Sequence, residues 1–471
     1  MLDTSLAHNA FIPVPHVIKG QPQTNVSVEH RFRTGETALT PPLNLDDLIW
    51  PRSKLPPAFD TPLSEIVDFL AAVGKALDFD KNLYLQEAVT RMGHVSTLGP
   101  RILENCYRDL PTFFEAEAVW AEAAGAIGDT SVLDGWQQSV VRGSNVSIRA
   151  FPPRLVHILA GNAPVVPPIT IVRGAITKGV HLLKMPSNDM FTATAILRIM
   201  ADVGPNHPVT KSFSAAYWKG GDTSIESAVF RSQYYDKLIV WGGEAAVRHA
   251  QRYMAPGFEI ISFDPKVSVS LVGHEAFASE QALREVAVRG AADVVAFNQD
   301  ACSCARFQYV EGSTEEVDRY CAALVSAMGR ETRYGEGAGG PVPPPAIVED
   351  LEMLGILEPE YRVFGEPDGR GMVIRSSEPV SFNPSGKLVN VVQVTNLADA
   401  VGYVTVATQS VGIYPENRIA QLRDSLVSAG VQRLVPLGVV HGGQFGGLPH
   451  DNGLPVHRFM RWVVDQNGEA A

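Results

Sequence analysis

The chain has 471 residues, enough for about three units of ordinary size or two large ones. Apolar residues make up 45% and charged residues 19%, a balance that supports a large buried core and argues against a mostly disordered chain. Lysine and arginine number 39 against 51 aspartates and glutamates, so the formal net charge of −12 has the wrong sign for a phosphate-backbone binder, and nucleic acid is not an expected partner.

The opening MLDTSLAHNAFIPVPHV has no basic segment followed by an apolar one, so no secretory leader is read and a cytoplasmic protein is expected. Residues 1–60 are rich in Pro, Asn and Thr and predict an extended arm with short strands at HVIKGQ and VSVEHRF. From 63 to 126 apolar residues recur at three and four spacing, as in SEIVDFLAAVGKAL and FFEAEAVWAEAAGAI, which predicts amphipathic helices. WQQSVVRGSNVSIRAFP then alternates apolar and polar around Gly143, Ser144 and Asn145, the pattern of a hairpin.

Three short apolar runs follow, VHILAG, GVHLLKMP and KLIVWGG, separated by helical stretches such as FTATAILRIMADV. This alternation predicts an α/β unit with a parallel sheet, its ligand-facing turns at the strand ends. A second α/β alternation runs from VSVSLVG through VVAFNQDACSCARFQYVEG to LVNVVQV, with GRETRYGEGAGGPVPPPAIV as a long surface loop inside it. The longest stretch without a charged side chain, residues 155–172, carries His157, Asn162 and three prolines, so it reads as core strand and loop, not a membrane span.

The four cysteines, Cys106, Cys302, Cys304 and Cys321, are too few for a disulfide scaffold and read as thiols. Cys302 and Cys304 precede a strand-like run, where a thiol can be exposed and activated, although an ordinary core cysteine fits the same pattern. A zinc site needs two more ligands at suitable spacing than C-x-C supplies, and His441, His450 and His457 fit no metal pattern, so no metal is expected. The glycine-rich dinucleotide fingerprint, the P-loop and G-x-S-x-G are all missing. Gly220 with Gly221 and Gly242 with Gly243 each follow a tryptophan at a strand end, which suits either a tight turn or close approach of backbone to phosphate.

Taken in order, these segments resemble the aldehyde dehydrogenase superfamily and, within it, the LuxC-type long-chain fatty-acyl-CoA reductases of bacterial bioluminescence. LAGNAP is similar to the segment that supplies the superfamily's oxyanion-hole asparagine, here Asn162. LLKMPSND is similar to the segment whose lysine holds the cofactor ribose, here Lys184. AYWKGGD and VWGGEAAV resemble the two turns bordering the dinucleotide phosphates, which implies Gly220, Gly221, Gly242 and Gly243 as cofactor neighbours. NQDACSCARFQYVEG resembles the nucleophile segment, and the family spacing to a strand valine, here Val310, implies Cys302 as the nucleophile. HPVTKSFSAAYWKGGD, FNQDACS and GGLPHDNGLPVHRFMRWV favour the reductase branch.

Two departures bear on chemistry. Hydrolytic relatives carry a general-base glutamate where this chain reads ISFDPKVSVSLVG, and the matching position is Ser262, with Asp264 close by. Without that base, hydrolysis of an acyl-enzyme is disfavoured and exchange between thioester and aldehyde is favoured. Ser187 stands where NAD-preferring relatives often carry glutamate, so the 2′-phosphate of NADPH is admitted, with Lys184 and Lys219 as its partners and NADH as the alternative.

The resemblance thus implies an aldehyde dehydrogenase-like α/β fold, with a Rossmann-type cofactor domain at 1–130 and 151–262 and a catalytic domain at 263–440. Segments 131–150 and 441–471 would bridge subunits of a homo-oligomer. It implies NADPH-dependent reduction of a fatty acyl-CoA or acyl-protein thioester to the aldehyde, with an acyl-transferring synthetase as a partner. A hydrolytic aldehyde dehydrogenase producing the acid is the alternative.

Overall fold

A computed structural model describes residues 11–31, 36–357, 359–442 and 445–466. The first ten residues of the opening MLDTSLAHNAFIPVPHV lie outside the described residues, as does Phe32 of VSVEHRF. The chain divides into two compact units, Met1–Asp264 with Gln444–Ala471 and Pro265–Gly443. Among the described residues no helix is long and apolar enough to cross a membrane.

The first unit is built on a seven-stranded sheet in the order Glu259–Phe263, Lys237–Trp241, Arg154–Ile158, Val180–Lys184, Phe213–Ala216, His16–Ile18 and Gln21–Gln23. The first five strands are parallel, and the arm adds the last two antiparallel at the edge. The arm is therefore no loose extension, since Val17 is fully buried and Lys19 N–H donates to Ser214 Oγ at 2.9 Å. The central parallel strands are buried on both faces because crossover helices cover both sides. Helix Leu63–Ala76 packs on such crossover helices from outside, with Ile66, Val67, Phe69, Leu70 and Val73 buried along one stripe.

The hairpin pairs Gln137–Val141 with Ser144–Phe151, and Arg461–Asp465 adds a third strand. Its tip falls one residue earlier than Gly143, Ser144 and Asn145 suggest. The two turn residues are Arg142 and Gly143, whose φ of 52° and 82° are the pair of positive angles a type I′ turn requires.

Inside this sheet His157 and His181 face each other, Nε2 to Nδ1 at 3.1 Å. Burial pushes His181 down to about 3 and His16 to about 3, and holds His157 well below the ordinary histidine range. The folded chain keeps all three neutral, whereas the unfolded chain protonates them below about 6.5. Their contribution is thus full above that pH and is lost as pH falls, by about 1.4 kcal/mol per group per unit. Buried Asp189 and Asp293, raised to about 6, act in the opposite sense from there down to the ordinary carboxylate range. Three histidines outweigh two carboxylates, so the urea midpoint is expected to fall between pH 7 and pH 5, and a flat or rising profile would contradict this.

The second unit has its own seven-stranded sheet, ordered Arg362–Phe364, Met372–Ser376, Leu388–Val394, Ala305–Glu311, Val267–Val272, Thr408–Tyr414 and Arg433–Pro436. Every neighbouring pair is parallel except the first. The glycine- and proline-rich stretch after helix Thr314–Met328 is a loop only to Pro344. Its last residues open a helix, Pro345–Gly355, because a proline at the first helical position is already set for helical φ and lacks only an N–H that would be unpaired there.

Candidate active site

In the first unit the strand starting at Arg154 is followed in sequence by its neighbours on one side, Val180–Lys184 and Phe213–Ala216. The chain then crosses to the other side for Lys237–Trp241 and Glu259–Phe263. The order of connection therefore reverses beside Arg154–Ile158, and open α/β sheets bind ligands at the strand ends of such a point. The residues singled out in this half of the sequence all fall at those ends. Asn162 follows Arg154–Ile158, Lys184 closes its strand, Ser187 comes three residues later, and the two glycine pairs follow Phe213–Ala216 and Lys237–Trp241.

Asn162 is half-buried in a segment that packs tightly. A Cβ on the preceding Gly161 would run into the Asn188 side chain and the Pro186 ring, so glycine lets LAGNAP lie against the turn after Lys184. Lys184 is buried, and burial lowers its amine to about 8, with Glu226 opposing that shift. Ser187, Lys219, Gly220, Gly221 and Gly243 are exposed, and Gly242 is half-buried. Gly221 adopts φ +85°, and a Cβ on Gly220 would lie 3.8 Å from Lys184 Nζ, filling the space beside the ammonium. Gly243 caps helix Glu244–Gln251 without a side-chain hydrogen bond, which leaves the helix's first N–H groups open to an anion.

Glu226 escaped the reading of the sequence. Its carboxylate is buried and accepts hydrogen bonds from Gly221 N–H at 3.1 Å, His249 Nε2 at 2.5 Å and Tyr253 O–H at 3.1 Å. It ties the first glycine turn to the helix that follows the second. The available signal was local, since Asp222 caps helix Thr223–Val229 and puts Glu226 one turn in, facing back to that turn.

In the second unit the two neighbouring cysteines differ sharply. Cys304 is fully buried, donates Sγ–H to Ala296 O at 2.9 Å, and is pushed up to about 12 by burial. Cys302 is half-buried, and its carbonyl accepts from Ser268 Oγ at 3.1 Å. All four cysteines are thiols, and Cys106 and Cys321 are buried within helices. Cys302 precedes strand Ala305–Glu311, at the edge where the parallel strands begin, opposite to the edge used in the first unit.

Ser262 is half-buried within strand Glu259–Phe263, and Asp264, just beyond, is exposed with its N–H donating to Asp451 Oδ2 at 2.9 Å. His450 packs edge-on against Phe263 with centroids 4.9 Å apart, and His457 lies 4.8 Å from the Trp462 ring, which gives both imidazoles ordinary packing roles.

The architecture is that of the aldehyde dehydrogenases. Lactaldehyde dehydrogenase from Escherichia coli matches 97% of this chain and 99% of its own at 14% identity and TM-score 0.70. The NADP-dependent glyceraldehyde-3-phosphate dehydrogenase of Bacillus halodurans C-125, solved with NADP, matches 98% and 99% at 12% identity and TM-score 0.70. Within that fold the chain belongs to the acyl-CoA reductase (LuxC) family, whose model matches residues 58–462. The long-chain acyl-protein thioester reductase of Vibrio harveyi is 27% identical over 419 residues, covering 86% of this chain and 83% of the relative. That of Photorhabdus laumondii is 27% identical over 412 residues, covering 85% and 82%.

Proposed function

We propose that this chain reduces a long-chain acyl thioester to the aldehyde with NADPH, through an acyl group carried on Cys302. The contrast between the two thiols supports this most directly, since Cys304 is buried and held protonated while Cys302 is accessible in the segment that resembles the family's nucleophile. The donor is an acyl group on CoA, as the family description has it, or on a protein, as the relatives' names have it. An acyl-transferring synthetase is the proposed protein partner, in a cytoplasmic homo-oligomer joined through segments 131–150 and 441–471.

The strand-end turns of the first unit suit a dinucleotide. The space a Cβ on Gly220 would fill lies beside Lys184 Nζ, and the uncapped helix after Gly243 offers N–H donors to phosphate. Ser187 adds no negative charge where a 2′-phosphate would lie, and Lys184 and Lys219 are the cations proposed to hold it. When bound, this cofactor supplies the hydride.

The protein's own part begins with Cys302. Its thiolate attacks the acyl carbonyl, a tetrahedral oxyanion forms, and the donor thiol leaves with an acyl thioester now on Sγ. After reduction of that carbonyl, the thiohemiacetal on Sγ collapses to aldehyde and restores the thiolate. The Cys302 N–H and the Asn162 amide are the proposed donors to both oxyanions, the latter role carried by the family resemblance. Ser262 provides no carboxylate to activate water, so the acyl-enzyme persists for reduction instead of hydrolysis.

Lys184 gives this reading a pH dependence. With its amine at about 8, affinity for NADPH is expected to fall as pH rises through that value. Glu226→Gln removes the charge that holds Lys184 up and should move the fall to lower pH. Titration of NADPH fluorescence at several pH values checks this, and superimposable profiles would refute the role given to Glu226.

The function itself is tested by following oxidation of NADPH, with NADH in parallel, on acyl-CoAs of graded chain length and on an acylated carrier protein. Thioester-dependent aldehyde formation is expected. Free acid from added aldehyde, with no thioester turnover, would place the hydrolytic activity first and direct attention to Asp264.

A further inference from the structure

The approach to Cys302 is unusual. Phe297, Asn298 and Gln299 adopt φ of 48°, 53° and 67°, three successive non-glycine residues in the left-handed region. Such residues persist only where their surroundings fix them. All three are buried, and each is held by groups distant in sequence or from beyond the turn. Phe297 N–H donates to Tyr334 O at 2.6 Å, and the two rings stack with centroids 5.1 Å apart. Asn298 Nδ2 donates to Glu336 Oε2 at 2.8 Å. Gln299 Nε2 donates to Ala305 O at 3.1 Å and Leu388 O at 2.8 Å, and Gln299 O accepts from Arg306 Nη2 at 2.6 Å.

Two of these partners, Tyr334 and Glu336, belong to the glycine-rich loop after helix Thr314–Met328. That loop is itself pinned. Lys387 Nζ donates to the carbonyls of Glu336 at 2.7 Å, Gly337 at 3.0 Å and Gly369 at 2.6 Å. Gly335 lies so close to the end of helix Glu280–Val295 that a Cβ would sit 3.0 Å from Val295 O. The Asn298 Oδ1 atom is buried and takes no hydrogen bond, so the amide is held from its Nδ2 end alone, by Glu336.

We propose that Glu336 and Asn298 are positioning residues for Cys302: their hydrogen bond locks the left-handed turn whose exit, three residues on, sets where the thiol lies. The inference rests on Cys302 being the nucleophile. It gives the glycine-rich loop a task in the reaction without contact with the reacting atoms, and it requires of Glu336 an accepting oxygen and not a charge.

The test combines steady-state kinetics with the rate of alkylation by iodoacetamide, the labelled residue being mapped by peptide mass spectrometry. Glu336→Ala is expected to lower kcat by about 100-fold, the scale of a misplacement near 1 Å, with KM and the dissociation constant for NADPH within threefold of wild type. Alkylation of Cys302 should change in parallel. Glu336→Gln keeps an acceptor for Asn298 Nδ2 and should restore kcat to within a few-fold. Asn298→Gly accepts the left-handed backbone without the side chain, so it folds even if Glu336→Ala does not, and should show the same loss. Combining Glu336→Ala with Asn298→Gly should add nothing further.

Wild-type kcat in Asn298→Gly would overturn the proposal, as would Glu336→Gln being as impaired as Glu336→Ala, since that result assigns the role to charge. Failure of the underlying reading looks different: acyl thioester would then protect a residue other than Cys302 from alkylation in the wild-type protein.

Discussion

Cys302→Ala is expected to abolish aldehyde formation, lowering turnover on the order of a million-fold, to the detection limit, as loss of a covalent nucleophile does elsewhere. No neighbour can take over. Cys304 lies two residues away, yet its thiol is fully buried, bonded to Ala296 O and raised to about 12 by burial, so almost none is thiolate at neutral pH. Cys106 and Cys321 are buried in helices. The variant should still bind NADPH with wild-type affinity, because the proposed cofactor residues Lys184, Gly220, Gly221, Gly242 and Gly243 all belong to the first unit and Cys302 to the second. Turnover and NADPH fluorescence titration of one preparation check both halves. Cys304→Ala, by contrast, should lose some stability from the cavity and keep its kcat.

Asn162→Ala is the second large expectation, a fall of about 100- to 1,000-fold in kcat with a smaller change in KM. A donor amide held in place beforehand is worth most when charge develops on the carbonyl oxygen, and both steps of the proposed reaction pass through such an oxyanion. Single-turnover kinetics separate acylation of Cys302 from its reduction, and both should slow. Asn162→Asp replaces a donor with a repelling carboxylate and should be worse than alanine. An Asn162→Ala protein with wild-type kcat would remove this residue from the mechanism.

Features visible in the sequence were those with a local cause. VHILAG, GVHLLKMP and KLIVWGG announced strands because parallel strands covered on both faces need unbroken apolar runs, and Gly220, Gly221, Gly242 and Gly243 marked the turns that leave them. The helix at Pro345–Gly355 was hidden because proline marks a loop and a helix start equally well. Docking of His16–Ile18 on the sheet edge depends on partners some 200 residues away, such as Ala215, and nothing nearby announces it.

The site divides in the same way. Asn162, Lys184 and Cys302, the proposed site residues, stand in segments with a recognisable order, whereas Glu226 bonds His249 and Tyr253, and Glu336 bonds Asn298. Those are single contacts between residues 23 to 38 positions apart, made by types that are usually surface charges. The left-handed turn at Phe297–Gln299 was beyond prediction from local preference, because Phe and Gln rarely adopt it and only the surrounding hydrogen bonds impose it.

The most direct test of the account is to incubate the protein with a long-chain acyl thioester in the absence of reduced cofactor and map any covalent acyl group by peptide mass spectrometry. One acyl group is expected, on the peptide containing Cys302, released as aldehyde when NADPH is added. An acyl group on any other residue, or its release as free acid on adding NADPH, would contradict it.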